Sequence, residues 1–161
     1  MIRVRTASPG DGAALGEIHA ASWAAAYGPF FAADFAEAGV RDRRDRWHAR
    51  VGADLLLLAT LDDRPLALSY SVDSPTRPGL AELHSFYAHP DAWGTGVAQA
   101  LVTETLRRLS AYPAVHLWTL EGTPRSRRFY TKSGFTPTGA TRPHDFGDGN
   151  PLPQLEYERT L

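Results

Sequence analysis

The chain contains no cysteine. That excludes disulfides, a thiolate nucleophile and cysteine-ligated metal centres, and it fits a reducing, cytoplasmic setting. No apolar run is long enough to span a bilayer, and the opening MIRVRTASPGD lacks the hydrophobic stretch of a signal peptide. A cytoplasmic protein without a membrane partner is therefore expected. Net charge is almost absent too, at −1, so no long-range field recruits nucleic acid or anionic lipid. Lysine occurs once, at Lys132, against many arginines, a bias of base composition more than of chemistry. His19, His48, His84, His89, His116 and His144 form neither an HExxH pair nor a clustered ligand spacing, so no metal site is expected. A Gly-x-Ser-x-Gly elbow, the mark of many serine hydrolases, is also missing.

What remains is the composition of one soluble globular domain: 161 residues, 43% hydrophobic and 22% charged, with no repeat or linker. Ile2 to Ala7 alternates like a half-buried strand. Ser8-Pro9-Gly10-Asp11 supplies an N-cap, a proline at the first helical position and an acid three residues on, predicting a helix to about Tyr27 before Gly28-Pro29. Asp34 to Val51 reads as a second helical region with Val40, Trp47 and Val51 inward. Its Arg41–Arg46 run of mixed charge reads as a solvated, self-paired face. Leu55–Leu61 and Leu66–Val72 flank turn chemistry at Asp62–Pro65 and predict a hairpin. Further strands are expected at Ala81–Ala88, Ala114–Leu120, Phe135–Thr138 and Leu152–Thr160. Helices are expected from Gly96 to about Ser110 and from Pro124 to a left-handed cap at Gly134. Ala140 to Pro151, rich in Gly, Pro, Asn and Asp, reads as a loop. The pattern implies an α/β (α+β) domain with a mixed, mostly antiparallel sheet and helices on both faces.

The chain is organised around Ala81–Ser110, where a strand enters His89-Pro-Asp-Ala-Trp-Gly-Thr-Gly96 and then a helix carrying Val97, Leu101, Val102, Leu106 and Leu109 at helical spacing. Gly94 and Gly96 let the backbone come close to a guest. The first N–H groups of the helix lack intrahelical partners, and the helix dipole favours negative charge there. A phosphate or diphosphate is the natural ligand. A P-loop is excluded by the missing lysine, and a dinucleotide fold by the position of the turn halfway along the chain.

Pro90-x-x-Trp-Gly-Thr-Gly-Val-Ala98, entered from Glu82-Leu-His-Ser-Phe-Tyr-Ala88, resembles the acetyl-CoA-binding segment of the GNAT superfamily of N-acetyltransferases. Leu120-Glu-Gly-Thr-Pro-Arg-Ser-Arg-Arg-Phe-Tyr-Thr-Lys-Ser-Gly-Phe135 resembles that family's second signature. With the flanking elements, the likeness covers nearly the whole chain. Trp93 stands where the family usually has Gln or Arg, and Thr123 where it usually has Asn. The resemblance implies a GNAT fold of about seven strands and acetyl-CoA as cosubstrate. It implies cofactor contacts from Phe86, Tyr87, Ala88, Trp93, Gly94, Thr95, Gly96, Val97, Ala98, Thr123, Ser126, Arg127 and Tyr130. Arg125, Arg127 and Arg128 either pair with the cofactor's 3′-phosphate or are simply exposed.

Acetyl transfer to an amine needs a proton acceptor, because amines are mostly protonated at pH 7, and a proton for the leaving thiolate. Glu82 and His84 lie two apart on one strand, so they share a face, and by resemblance these positions supply the base. A carboxylate on an otherwise apolar strand is costly to bury without a partner, which favours a functional role for Glu82, with His84 ranked below it as base. The bland alternatives are an edge glutamate and a hydrogen-bonded core histidine. Tyr130 matches the family's proton donor to the sulfur, and a backbone N–H near Ala88 would polarise the carbonyl. Trp23, Tyr27, Phe30, Tyr70 and His144 are candidate walls of the acceptor groove, with plain core as the other reading for the rings. The expected reaction is direct attack by a primary amine of a small molecule or peptide. The rival is a non-catalytic coenzyme A-binding sensor, and a weaker third is a relative using another acyl-CoA. A homodimer is compatible with the sequence, which marks no interface.

Overall fold

Seven strands form one mixed sheet in the computed structural model, which describes residues 1–52 and 55–161. In chain order the elements are β1 (Ile2–Thr6), α1 (Gly12–Ala26), α2 (Ala33–Asp45), β2 (Leu55–Leu61), β3 (Arg64–Asp73), β4 (Ala81–Ala88), α3 (Val97–Arg108), β5 (Ala114–Leu120), α4 (Pro124–Lys132), β6 (Thr136–His144) and β7 (Leu152–Thr160). The sheet order is β1-β2-β3-β4-β5-β7-β6. β1–β2, β2–β3, β5–β7 and β6–β7 are antiparallel, while β4 and β5 run parallel, with Ala81 beside Val115 and Glu82 beside His116. The chain falls into two compact units, residues 1–71 with 85–107, and residues 72–84 with 108–161.

In the first unit the β2–β3 hairpin turns through Asp62 and Asp63, both at positive φ (48° and 68°), the twist that matches two right-handed strands. Before α1 the Asp11 carboxylate accepts the Ser8 N–H at 2.7 Å, and Arg5 clamps the same carboxylate at 2.7 and 2.9 Å. α1 and α2 approach closely because small residues line the contact. A Cβ added at Gly16 would lie 1.9 Å from the Arg44 carbonyl oxygen. One core cluster gathers Leu15, Ile18, Trp47, Leu56, Leu58 and Leu68, with Tyr70 and Tyr87 packed against it. A second joins Leu57, Ala59, Leu66 and Ala67 to Ala92, Val97 and Leu101.

The mixed-charge run on α2 is only partly the solvated face its sequence suggests. Arg46 pairs with Asp42, but Arg43 folds back over the ring of Trp23, 4.2 Å from its centroid. Burial there lowers its pKa.

In the second unit, Ala81, Leu83, Val115, Leu117, Leu120, Phe135 and Tyr157 are buried. Gly134 takes φ 90° at the end of α4, as a left-handed cap requires. The loop expected over Ala140–Pro151 begins later than its composition implies. β6 continues to His144 because Thr141 to His144 pair with Leu155 to Leu152, after a register shift between Pro137 and Thr141 around Gly139 at φ 88°. A bulge at an edge strand tolerates glycine and proline that a central strand would reject. Only the stretch after His144 is irregular, with the Asp145 carboxylate accepting the N–H groups of Gly147 and Gly149.

Candidate active site

The strand β4 ends at Ala88, and the chain turns through Pro90–Ala92 into α3. His89 Nδ1 accepts the Asp91 N–H at 3.0 Å, and Asp91 pairs with Arg64 at 2.7 Å, a hydrogen bond that lowers the carboxyl's pKa. Buried Ala92 and Val97 anchor the two ends of the turn in the core. Between them, Gly94 and Gly96 adopt φ 77° and 89°, the left-handed region where a side chain is strained. Nothing lies within 4 Å of a Cβ placed on Gly94. Thr95 Oγ1 donates to the Ala92 carbonyl at 2.5 Å and accepts the Val97 N–H at 3.3 Å, so its side chain braces the turn. The next main-chain N–H groups, at Ala98 and Gln99, open α3 without intrahelical acceptors. A rigid, open glycine turn ending in a helix mouth suits an anion held by main-chain groups. Trp93 is 43% exposed on this turn.

The rings of β4 that precede the turn pack inward. Phe86 and Ala88 lie against the cluster around Val97. Tyr87 stacks on His19, with ring centroids 4.0 Å apart, and burial raises its phenol's pKa against the opposing pull of the Ser85 hydrogen bond and of Arg43, Arg46 and Arg50.

In the second unit Glu82 is 7% exposed, while His84, on the same strand face, is exposed. Burial thus separates two residues that spacing alone leaves equivalent. Arg142 has its guanidinium 4.3 Å from the centroid of Trp118, donates to Gln154 at 2.8 Å and interacts with the Glu82 carboxylate. Desolvation lowers the Arg142 pKa, and Glu82 and Glu156 pull it back up. Tyr130 is buried on α4 among Phe129, Phe135 and Tyr157, with centroids 5.6, 5.8 and 6.4 Å away. The Thr123 hydroxyl donates to the Leu120 carbonyl at 2.8 Å and makes no cap bond to α4. Ser126 is partly buried on the first turn of that helix. Arg127 donates to Tyr157 Oη at 3.3 Å and lines, with Pro124, Arg128, Thr131 and Lys132, a basic groove of about 490 Å³.

The expected groove residues fall into different settings. Trp23 is fully buried, stacked on Phe31 with Arg43 on its ring and Tyr27 edge-on at 6.1 Å. Phe30 is 40% exposed. Tyr70 meets Trp47 edge-on at 6.0 Å beneath Arg50. His144 packs edge-on against Phe146 at 4.4 Å. Three polar groups escape a reading by motif: His19, whose Nδ1 accepts the Trp47 indole N–H at 2.8 Å, and the buried pair His116 and Glu156. A histidine inside an apolar strand (AVHLWTL) was the available signal for His116.

Residues 17–135 match the model of the acetyltransferase (GNAT) family. The chain belongs to that family. Among solved structures it is similar to the PaiA N-acetyltransferase of Thermoplasma acidophilum in complex with coenzyme A, at 19% identity over 100% of this chain and 99% of that one, TM-score 0.76. It is similar to a GCN5-related N-acetyltransferase of Rhodopseudomonas palustris at 20% identity over 99% and 95%, TM-score 0.78. A third likeness is to YncA of Salmonella typhimurium with acetyl-CoA, at 19% identity over 100% and 94%, TM-score 0.71. No curated protein sequence matches the chain. The seven-stranded mixed sheet with four helices is the GNAT fold seen in these neighbours.

Proposed function

We propose that residues 1–161 form one N-acetyltransferase domain that moves the acetyl group of acetyl-CoA to a primary amine by direct attack, without an acyl-enzyme. The observation that carries this reading is the open glycine turn at Gly94 and Gly96, braced by Thr95 and running into the mouth of α3. Family membership and the coenzyme A and acetyl-CoA complexes of structural neighbours support it. Acetyl-CoA supplies the acyl group as an activated thioester.

The main-chain N–H groups of Gly94, Gly96 and Ala98 hold the diphosphate, where positive φ at the glycines and the helix dipole favour it. An N–H near Ala88 polarises the carbonyl. Glu82 takes the proton from the amine, directly or through water. Its burial raises the cost of an idle carboxylate, and the nearby Arg142 keeps a countercharge in range. Tyr130 gives a proton to the departing sulfur. His84, exposed on the same face, is the second candidate for the base.

The test is thiol release from acetyl-CoA with a panel of monoamines, polyamines, aminoglycosides and peptides, alongside competition by other acyl donors. The reading expects release with at least one amine. Glu82→Gln and Tyr130→Phe should each cut turnover while coenzyme A affinity persists. Coenzyme A binding with no release on any acceptor would favour a sensor module instead.

A further inference from the structure

Outside the groups assigned above, the second unit contains a hydrogen-bonded chain of three side chains from distant points in the sequence. Ser74 directly follows β3, His116 is the third residue of β5 and Glu156 lies in β7. Ser74 Oγ stands 2.7 Å from His116 Nε2, and His116 Nδ1 stands 3.0 Å from Glu156 Oε2. The imidazole is wholly buried, the carboxylate nearly so, and Ser74 only partly.

The neighbours fix the proton order. Ser74 Oγ accepts the Arg77 N–H at 2.9 Å and the Thr76 N–H at 3.3 Å. In both contacts Oγ is the acceptor, so its own hydrogen points to Nε2, and the longer Thr76 contact is the one that yields a lone pair for attack. Nε2 then carries the lone pair, and Nδ1–H donates to Glu156. The carboxylate accepts the Thr138 hydroxyl at 2.7 Å through Oε1 and has Arg77 3.5 Å from Oε2. Hydroxyl, imidazole and buried carboxylate thus stand in the order that activates a serine. The two N–H groups aimed at Oγ ease withdrawal of its proton towards Nε2. The loop is tied by the Ser74 N–H to the Leu80 carbonyl at 2.9 Å, yet its surface is open. Thr76 and Gly79 are exposed, and nothing lies within 4 Å of a Cβ on Gly79.

We propose that Ser74 is a nucleophile, activated by His116 and Glu156, that accepts the acyl group of an activated ester or the phosphonyl group of a fluorophosphonate. With an ester, Ser74 Oγ bonds to the carbonyl carbon and its proton passes to His116 Nε2. The ester C–O bond breaks, and the leaving alkoxide takes that proton to depart as an alcohol. Water then adds by the same path, frees the carboxylic acid and restores the serine hydroxyl. With a fluorophosphonate, the Oγ–P bond forms as the P–F bond breaks, and fluoride leaves. Glu156 stabilises the imidazolium in each case. This site does not depend on acetyl transfer.

The full chain is incubated with a fluorophosphonate probe and read by intact and tandem mass spectrometry. One adduct at Ser74 is expected, absent from Ser74→Ala and from heat-unfolded protein, and forming at least about tenfold more slowly in Glu156→Gln. Because the chain has no cysteine, Ser74→Cys installs a single thiol whose alkylation by iodoacetamide can be followed across pH. Its midpoint should fall at least about one unit below the ordinary thiol value of about 8.5, and return towards that value when Glu156→Gln is added. No adduct at Ser74, or an ordinary midpoint in folded Ser74→Cys, overturns the proposal and leaves the chain of bonds as a latch for the loop.

Discussion

In the turn from His89 to Ala98 the proposed contacts to a ligand are main-chain N–H groups, at Gly94, Gly96 and Ala98, whereas on β4, β5 and β7 the polar groups that stand out are the side chains of Glu82, His116 and Glu156, each at most 7% exposed. The turn needs only the right φ at two glycines and an anchor at each end, so it is a local construction. The strand face needs register, because Glu82 meets His116 across β4 and β5, and Glu156 reaches His116 from β7. A site built from main-chain groups tolerates changes of side chain around it. A side-chain site does not, since each buried polar group is costly once its partner is lost.

Substitutions can break or sharpen this contrast. Glu82→Gln keeps shape and removes only the carboxylate proposed as base. Turnover should drop about 10²–10³-fold, with coenzyme A affinity by calorimetry unchanged within about twofold. Equal losses in both would make Glu82 structural. A smaller effect is expected at the buried pair of the first unit. Trp47→Phe removes the indole N–H that His19 Nδ1 accepts at 2.8 Å inside the core. Urea unfolding should show a loss of about 2 kcal/mol.

Gly96→Ala tests the main-chain side of the contrast. An alanine at φ 89° costs about 1–2 kcal/mol, so coenzyme A should bind roughly tenfold more weakly or the fold should lose that stability. Trp93→Ala, on the same turn, should alter affinity by less. The smallest effect belongs to Asp11, a part-buried carboxylate serving a main-chain N–H. The Arg5 hydrogen bond and ion pair hold its pKa below the ordinary value. A depressed carboxyl stabilises the fold above its unfolded pKa of about 3.9, and that stability is lost as pH falls through the lower folded value. Asp11→Asn should therefore cost about 0.5–1 kcal/mol at pH 7, with the gap to wild type closing below about pH 4 in urea titrations.

The same contrast explains what was legible in the sequence. Leu55–Leu61, Ala81–Ala88, Ala114–Leu120 and Leu152–Thr160 announce themselves by apolar pattern, and the structure places those strands at those bounds. The Gly94-Thr-Gly96 turn was readable because its requirement is carried by residue type alone. The extension of β6 to His144 was not, because pairing with β7 overrides the turn composition of Gly139 and Pro143. Nor could spacing tell buried Glu82 from exposed His84. Ser74, His116 and Glu156 share no sequence window, so only tertiary register brings them within 2.7 and 3.0 Å. Arg43 looked like one more surface charge until packing laid it on Trp23.

The most direct trial of the central claim is titration of acetyl-CoA into the isotope-labelled chain while backbone amide shifts are followed. The largest perturbations should fall on the N–H groups of residues 94–98, saturating with the calorimetric affinity. Absence of binding, or shifts that leave 94–98 untouched, would contradict the account.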